Sequence, residues 1–151
     1  MSPYFTQINT ILERLRSVLD GAGRQDVPVL VYPLVTNVDG VMPAPCVLVR
    51  FDGYDVRSSE TGYESRMVQS WIMEVCVRYG VTQDDAQAAL NASGELVNLC
   101  IRAFVGWIDP SSKSAGPTFS LSGAPKPALE NGYYYLPIGL ESRRTFTKSN
   151  L

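Results

Sequence analysis

The residues best suited to acid–base chemistry are four carboxylates that fall close together, Asp52, Asp55, Glu60 and Glu64. Paired carboxylates can act as general acid and general base when a pocket moves their pKa values apart. Their surroundings, DGYDVRSSETGYESR, are polar and contain two glycines. Such a segment is typical of a solvated turn, so we interpret these carboxylates as part of a charged hairpin tip.

Nucleophilic and metal-dependent chemistry finds little support in the residue types. The sequence contains no histidine, which excludes Ser–His and Cys–His nucleophiles and removes the commonest metal ligand. Three cysteines, Cys46, Cys76 and Cys100, each have apolar neighbours, and free cysteine in such surroundings behaves as a small buried hydrophobe. We therefore predict three reduced, buried thiols. No GxGxxG, P-loop or GxSxG motif is present, and we predict no cofactor, no metal and no catalytic residue.

A nucleic-acid site is the next possibility, because Tyr133, Tyr134 and Tyr135 could stack on the bases of a single strand. No basic residue directly precedes them, and consecutive strand residues point to opposite faces. Strand packing is the better interpretation. The net charge of −2 adds no basic surplus, so no specific nucleic-acid partner is expected.

The composition predicts one soluble intracellular domain. The chain has 151 residues, of which 45% are hydrophobic and 19% charged, enough for a single core over residues 1–151. Residues 147–151 are expected to form a loose C-terminal end. The longest apolar run, Val27 to Val35, contains two prolines and is shorter than the roughly 20 residues of a membrane helix. We therefore expect no membrane partner.

Periodic apolar residues predict the elements of the N-terminal half. Helical spacing relates Phe5, Ile8, Leu12, Leu15 and Leu19, with Ser2-Pro3 to start the helix and Gly21 to end it. The segment VPVLVYPLV is β-rich but contains prolines, which indicates an edge strand or a bulge. CVLVRFDGY and MVQSWIMEVCVRY both alternate, and we predict that they pair as a long antiparallel hairpin.

A second helix is predicted from Thr82, an N-cap with Asp85 three residues later, through Ser93-Gly94 to about Ile108. Residues in phase at about 100° per residue are expected to face the sheet: Ala86, Leu90, Val97, Ile101, Phe104 and Ile108. Further apolar residues extend the arc around one flank: Ala92, Leu96, Leu99 and Ala103. An arc this wide indicates two partners. The flank is interpreted as a contact with another copy of the chain, with cover by the first helix as the alternative.

The C-terminal part begins with a loop over residues 109–132, rich in proline, glycine and serine, in which TFSLSG can form a short strand. A final strand follows, YYYLPIGLESRRTF, and Pro137 indicates that it lies at an edge or contains a bulge. The predicted fold class is α+β: an antiparallel or mixed sheet of about four to five strands with two helices packed on it.

The order of these segments resembles one protein family. The resemblance rests on the amphipathic first helix, CVLVRFDGY, the hairpin into SWIMEVCVRYG, the capped helix ending LCIRAFVGWI, the Pro/Gly/Ser loop and the final strand. These features together look like the tail terminator, or tail completion, proteins of long-tailed bacteriophages and prophages. The similarity covers nearly the whole chain, and it lies in pattern and order rather than in a diagnostic motif.

The resemblance implies a structural, non-enzymatic protein that forms a homohexameric ring on the end of the tail tube. Such a ring stops tube polymerisation and provides the surface for head joining. The implied partners are further copies of the chain, the tail tube protein and a head–tail connector or neck protein. The implied locations are the cytoplasm of the bacterial host during assembly and the tail of the virion.

The charged hairpin tip is the candidate loop for contacting the tube or a neighbouring subunit. Its charged residues are Asp55, Arg57, Glu60, Glu64 and Arg66. Three alternatives stay open. The first is a head–tail neck protein that also forms a ring, the second a small α+β enzyme using Asp52 and Glu74. The third is a monomeric module that binds peptides by strand addition at its proline-flanked edges.

Overall fold

Two helices and six strands form two layers in the computed structural model, which describes residues 5–32, 42–58, 62, 64–80, 82–111 and 118–150. The first helix, α1, spans Thr6–Gly21 and buries one stripe of apolar residues: Ile8, Ile11, Leu12, Leu15 and Leu19. The amphipathic pattern and the end at Gly21 are confirmed. The predicted start at Ser2-Pro3 lies outside the described residues.

A mixed sheet follows, and it confirms the α+β fold class. Its strands are β1 (Val29–Val31), β2 (Cys46–Ser58), β3 (Glu64–Arg78), β4 (Phe119–Ser122), β5 (Ala128–Glu130) and β6 (Tyr133–Thr147). The order is β1-β2-β3-β6-β4, with β5 also paired to β6. β1 runs parallel to β2 at one edge, and the remaining pairs are antiparallel. The edge position of β1 and the long β2–β3 hairpin agree with the sequence.

Pro137 does not place β6 at an edge, contrary to the prediction. β6 lies between β3 on one side and β4 and β5 on the other. β5 pairs with residues 133–135 and β4 with residues 139–142, so Pro137 lies in the gap between them. Arg143 N–H donates a hydrogen bond to the Thr118 carbonyl. The backbone N–H and C=O groups of the odd-numbered residues of β6 therefore point toward β4. The N–H that proline lacks would therefore face the gap, where no ladder bond is lost.

The region 109–132 contains more structure than the predicted loop. TFSLSG does form β4, and β5 is an additional strand that the sequence did not predict. The β5–β6 turn is Asn131-Gly132, with φ values of 52° and 81°. Both residues adopt the left-handed region that a two-residue type I′ hairpin requires, which Asn-Gly accommodates. β6 ends at Thr147 and a 3₁₀ turn, Lys148–Asn150, follows.

The second helix, α2, spans Gln83–Phe104 and passes through Ser93 and Gly94 without a break. The hydroxyl of Thr82 accepts a hydrogen bond from the Asp85 N–H at 3.1 Å, which confirms the N-cap. The helix ends four residues before the predicted Ile108. Val105 is extended with ψ of 116°, and Gly106 has φ of +70°, so the chain leaves the helix there.

The main core lies between the sheet and the two helices, with Trp71 at its centre. The Trp71 ring meets Phe51 at a centroid distance of 5.0 Å, and its indole N–H donates to the Ser142 hydroxyl at 3.2 Å. A smaller cluster lies on the opposite face of the sheet: Met42, Cys46, Leu48, Cys76 and Tyr133. No helix of the described residues is long and apolar enough to cross a membrane.

Candidate subunit-contact surface

The flank of α2 predicted as a subunit contact lies mostly inside the subunit. Leu96 and Ala103 are 0% exposed and Leu99 is 8% exposed, and only Ala92 is exposed. These buried side chains belong to the core between α2, α1 and the sheet. Leu96, Leu99 and Ala103 therefore have no accessible surface to offer another copy, and cover within the chain, the alternative interpretation, describes them correctly. We call this group the inner flank.

Contacts from α1 and the loop after it hold this flank in place. Arg14 on α1 donates from Nε to the carbonyl of Ala103 at 2.7 Å, and its guanidinium lies 4.8 Å from the centre of the Trp107 ring. A basic side chain at the last carbonyls of a helix satisfies acceptors that have no partner within the helix. Arg24 pairs with Glu95 at 3.4 Å on the exposed side of α2. The Arg14 contacts therefore link α1 to the C-terminal end of α2, and the exposed Arg24–Glu95 pair adds little.

A different set of apolar residues on α2 faces outward, and we call it the outer stripe. Its members repeat every three or four residues along one side: Ala86, Leu90, Gly94, Val97, Ile101 and, directly after the helix, Val105. Leu90 is 49% exposed and Val105 62% exposed, and the other members are half-buried. The predicted sheet-facing set was therefore wrong for Leu90, and Ile108, which is 50% exposed, lies outside the helix. The outer stripe contains most of that set.

The wide apolar arc is thus present, but its two halves are exchanged relative to the prediction. Cys100 was the signal that could have assigned them correctly. It was predicted to be buried and is 1% exposed, and it lies one turn from Leu96 and Ala103 on the same side of a 3.6-residue helix. Small side chains at Ala89 and Ser93 continue that side and let α2 approach its neighbours closely.

The sheet continues past the area that the helices cover. On the helix-facing side, Tyr54 and Val56 of β2 are 54% and 53% exposed, whereas Trp71 further along the sheet is 1% exposed. Phe5, at the start of α1, packs edge-on against Phe51 with a ring-centroid distance of 5.3 Å, and Phe5 is itself 40% exposed. We call the end of β2, β3 and β6 beyond Phe51 the strand extension; its β2 part is exposed, whereas Phe146 of β6 is buried.

The predicted tip residues lie on this extension. Asp55 is opposite Val68, Arg66 is opposite Ser58 and Thr145, and Glu64 is opposite Thr147, so these three charges share the face away from the helices. Arg57 falls at a register shift of β2 and is exposed. Glu60 lies outside the described residues. The strands reach further into 55–66 than predicted, to Ser58 on one side and from Glu64 on the other.

Electrostatic coupling at the tip is weak. Arg66 and Glu64 form an ion pair at 3.4 Å, and their side chains are 64% and 42% exposed. Exposed pairs of this kind contribute about 0–1 kcal/mol to stability. The ion pair at the tip therefore contributes little to the stability of the subunit, and the charges of the tip are accessible to a partner.

Several titratable groups with altered pKa values lie away from the tip, on the outer face of the sheet and in the main core. Burial raises the pKa of Glu74, and the charge of Arg50 partly opposes that shift. The hydrogen bond with Cys76, together with burial, raises the pKa of the Cys46 thiol, and burial raises the pKa of Cys100 to about 12. All three cysteines are free and buried, as predicted.

A phenol, a thiol and a carboxylate lie close together on the outer face of the sheet: Tyr135, Cys76 and Glu74. Tyr135 lies beside Cys76, and burial is the main reason why the pKa of Tyr135 rises to about 12. No group of three or more metal-ligating side chains is placed to bind a metal among the described residues. Asp52, the other carboxylate of the enzyme alternative, is exposed on β2 two positions past Arg50. The hydrogen bond with Cys46 lowers the pKa of Cys76. The three reduced, buried thiols act here as small core residues.

Comparison with known proteins gives a distant similarity to solved structures. No protein-family model matches the chain, and no curated protein matches it. Among solved structures, the chain is similar to a chain of the structure described as "Virion of native gene transfer agent (GTA) particle". The identity is 16%, the TM-score is 0.39, and the similarity covers 88% of this chain and 90% of that chain. No function is transferred from a similarity at this level.

Proposed function

We propose that this protein is a structural component of a phage-type tail, and specifically a tail terminator that forms a hexameric ring with copies of itself. The observation that carries the proposal is the outer stripe. Leu90 and Val105 mark a line of apolar side chains that runs the length of α2 and remains in contact with solvent. An apolar line of this kind on a rigid helix is typical of a protein–protein contact.

The size of the outer stripe indicates how much of the contact it can supply. α2 has 22 residues. At 1.5 Å of rise per residue and a helix diameter, side chains included, of about 10 Å, one face of the helix has an area of roughly 330 Å². A stable interface buries about 800 Å² on each partner. The stripe is therefore the apolar centre of a larger contact, and the strand extension is the nearest candidate for the rest.

The architecture supports the same proposal. Two helices pack on one face of a sheet whose longest strands, β3 and β6, pair over their whole length. The order helix, strands, capped helix and final strand is the order on which the resemblance to tail terminators rests. A rigid plate with a helix fixed along it suits side-by-side packing in a ring, with loops at either end meeting different partners.

In this proposal the charged tip contacts the tail tube or the next subunit, through Asp55, Arg57, Glu64 and Arg66, with Glu60 on the connecting segment. The partners are the tail tube protein on one face of the ring and a head–tail connector or neck protein on the other. Assembly takes place in the cytoplasm of the bacterial host and the product is part of the virion tail. No catalytic step and no cofactor enter the proposed role.

The test compares two single substitutions on α2 in the full-length chain. Leu90→Asp puts a charge on the outer stripe, and Ala92→Asp puts the same charge on an exposed position of the opposite flank. Ring formation is measured by native mass spectrometry at high protein concentration and by electron microscopy of isolated tail tubes with protein added. We expect Leu90→Asp to abolish rings and Ala92→Asp to leave them intact.

If instead Ala92→Asp abolishes rings and Leu90→Asp does not, the subunit contact lies on the flank that includes Ala92. If the unaltered protein forms no ring in solution and none on tail tubes, the proposal is wrong. If rings form but bind head–tail connectors and not tubes, the protein is a neck protein instead of a terminator.

A further inference from the structure

A groove lies between the end of α2 and the free edge of the sheet. Its volume is about 450 Å³, and it is lined by residues 104–106 and 118–121 and by Arg143. The aromatic floor is formed by Phe104 and Phe119, whose ring centres are 5.2 Å apart. Leu121, on the same side of β4, is 41% exposed.

The wall of this groove is a strand edge whose hydrogen-bonding groups point outward. Arg143 N–H donates to the Thr118 carbonyl at 3.2 Å, so Thr118, Ser120 and Ser122 are the residues of this segment that bond to β6. By alternation, the amide and carbonyl groups of Phe119 and Leu121 point away from β6. Within the part of the chain that the structure describes, no strand pairs with that side of β4.

The other edge strands of the described sheet are β1 and β5. On β1, Arg16 donates from its guanidinium to the Val29 carbonyl at 3.0 Å and so occupies one of the outward acceptors. β5 follows the segment Pro125-Lys126-Pro127. Prolines and lysine next to an edge strand are devices that discourage further strand pairing. The strands β4 and β5 themselves contain neither residue type, and Pro117 precedes β4 in the sequence. The adjacent groove is therefore the feature that favours β4.

The charge of the groove indicates what it would accept. Arg143 is exposed and forms no ion pair among the described residues. Among the described residues, none of those that line the groove is acidic. A partner segment with a carboxylate near this guanidinium would gain a charge-assisted hydrogen bond.

We propose that this groove binds an extended segment of a partner protein by strand addition to β4. The segment has apolar side chains at alternate positions, which enter the groove beside Phe119, and a carboxylate that pairs with Arg143. Main-chain bonds to Phe119 and Leu121 give affinity, and the apolar pocket and Arg143 give selectivity, as in other strand-addition sites. The proposed main-chain contacts lie along β4, although Val105 belongs both to the outer stripe and to the lining of the groove.

The test uses synthetic peptides of alternating valine and threonine with one terminal aspartate, added to the full-length isotopically labelled protein. NMR spectroscopy follows the amide signals, and hydrogen exchange follows their protection. We expect saturable changes centred on the amides of Phe119 and Leu121, with slower exchange of both. A peptide N-methylated at the amides that face β4 is expected to lose binding, whereas methylation of the alternate amides leaves binding intact.

Matched variants separate the main-chain and charge contributions. Leu121→Pro removes an outward amide from β4, and we expect it to weaken binding about tenfold or more. Leu129→Pro is the control, since Leu129 lies at the outward position of β5 by the same alternation. Arg143→Gln is expected to weaken the aspartate peptide selectively, with the Arg78→Gln variant of another exposed arginine unchanged.

Three results would overturn the proposal. One is the lack of saturable binding up to roughly 1 mM peptide, a weak limit for any specific site. Another is equal binding of the two N-methylated peptides, which would exclude a main-chain ladder. The third is broadening of the Phe119 and Leu121 signals with protein concentration alone, which would make a second copy of this chain the occupant.

Discussion

The inner flank and the outer stripe of α2 are built from the same residue types and differ in what lies over them. Leu96 is 0% exposed and Leu90 is 49% exposed, although both are leucines on one helix. The difference follows from the positions of the sheet and of α1, which together cover the inner flank. Side-chain chemistry makes a helix face suitable for burial, and the tertiary partner decides whether burial occurs within the subunit or between subunits.

The largest effect that separates the two regions is expected from Leu99→Asp. Leu99 is 8% exposed, so the substitution removes a packed side chain and places a carboxyl group in the core. Loss of a buried leucine alone costs about 2–5 kcal/mol, and an unpaired charge adds to that cost. Because small domains have a free energy of unfolding of only about 5–15 kcal/mol, we expect a largely unfolded subunit.

Leu90→Asp is the matched substitution on the outer stripe, where we expect a loss of roughly 1 kcal/mol or less. Urea denaturation and circular dichroism measure both variants. A folded Leu99→Asp variant with nearly normal stability would show that the inner flank is not a core surface, and the comparison between the two regions would fail.

The sequence was sufficient for most elements because their signals are local. The Thr82 cap, the alternation of β2 and β3 and the helical period of α1 each depend on neighbours in the chain. β5 was missed because it is a three-residue strand, Ala128–Glu130, with no apolar alternation. Its strand conformation comes from the Asn131-Gly132 turn and from pairing with β6.

The candidate site was harder to predict for a different reason. Pro137 and the assignment of the α2 flanks both depend on which residues meet across the fold, not on the local pattern. Proline is tolerated in β6 only because β4 and β5 leave a gap opposite it. Likewise, the arc of α2 predicts two apolar surfaces, but only the positions of the sheet and of α1 show which of them remains exposed.

An effect of intermediate size is expected from Thr82→Ala, which removes the cap of α2. The Thr82 hydroxyl accepts from the Asp85 N–H, and loss of such a cap costs about 0.5–2 kcal/mol. The first turn also holds Ala86, where the outer stripe begins, so we expect ring formation to weaken together with stability. Thr82→Ser retains the hydroxyl and is the control. Equal melting temperatures for the Ala and Ser variants would contradict the role of the cap.

Gly94→Ala sharpens the comparison because its effects on the subunit and on the ring are expected to have opposite signs. A Cβ at Gly94 would meet no atom within 4 Å, and replacement of glycine by alanine inside a helix stabilises it by about 0.5–1 kcal/mol. If the outer stripe packs closely against a neighbouring subunit, the added methyl group weakens that contact.

Asn91→Ala, on the polar side of α2, is the control for Gly94→Ala. It also improves helix propensity, and we expect no change in ring formation. Thermal melting and native mass spectrometry are measured on the same samples. A ring that gains stability in parallel with the subunit in Gly94→Ala would place Gly94 outside the contact.

The smallest effect on stability is expected at the tip of the strand extension, and it decides whether the outer stripe acts alone. The double substitution Arg57→Ala with Arg66→Ala removes two exposed cations, of which Arg66 pairs with Glu64 at 3.4 Å. Exposed pairs contribute about 0–1 kcal/mol, so the melting temperature should hardly change. Docking on a tube or a neighbour would bury these charges, and loss of one partner of a buried pair costs roughly 2–5 kcal/mol. We therefore expect unchanged melting but longer, unterminated tails in a complementation assay read by electron microscopy. Normal tail lengths would mean that the tip is a solvated turn and that the outer stripe makes its contact without it.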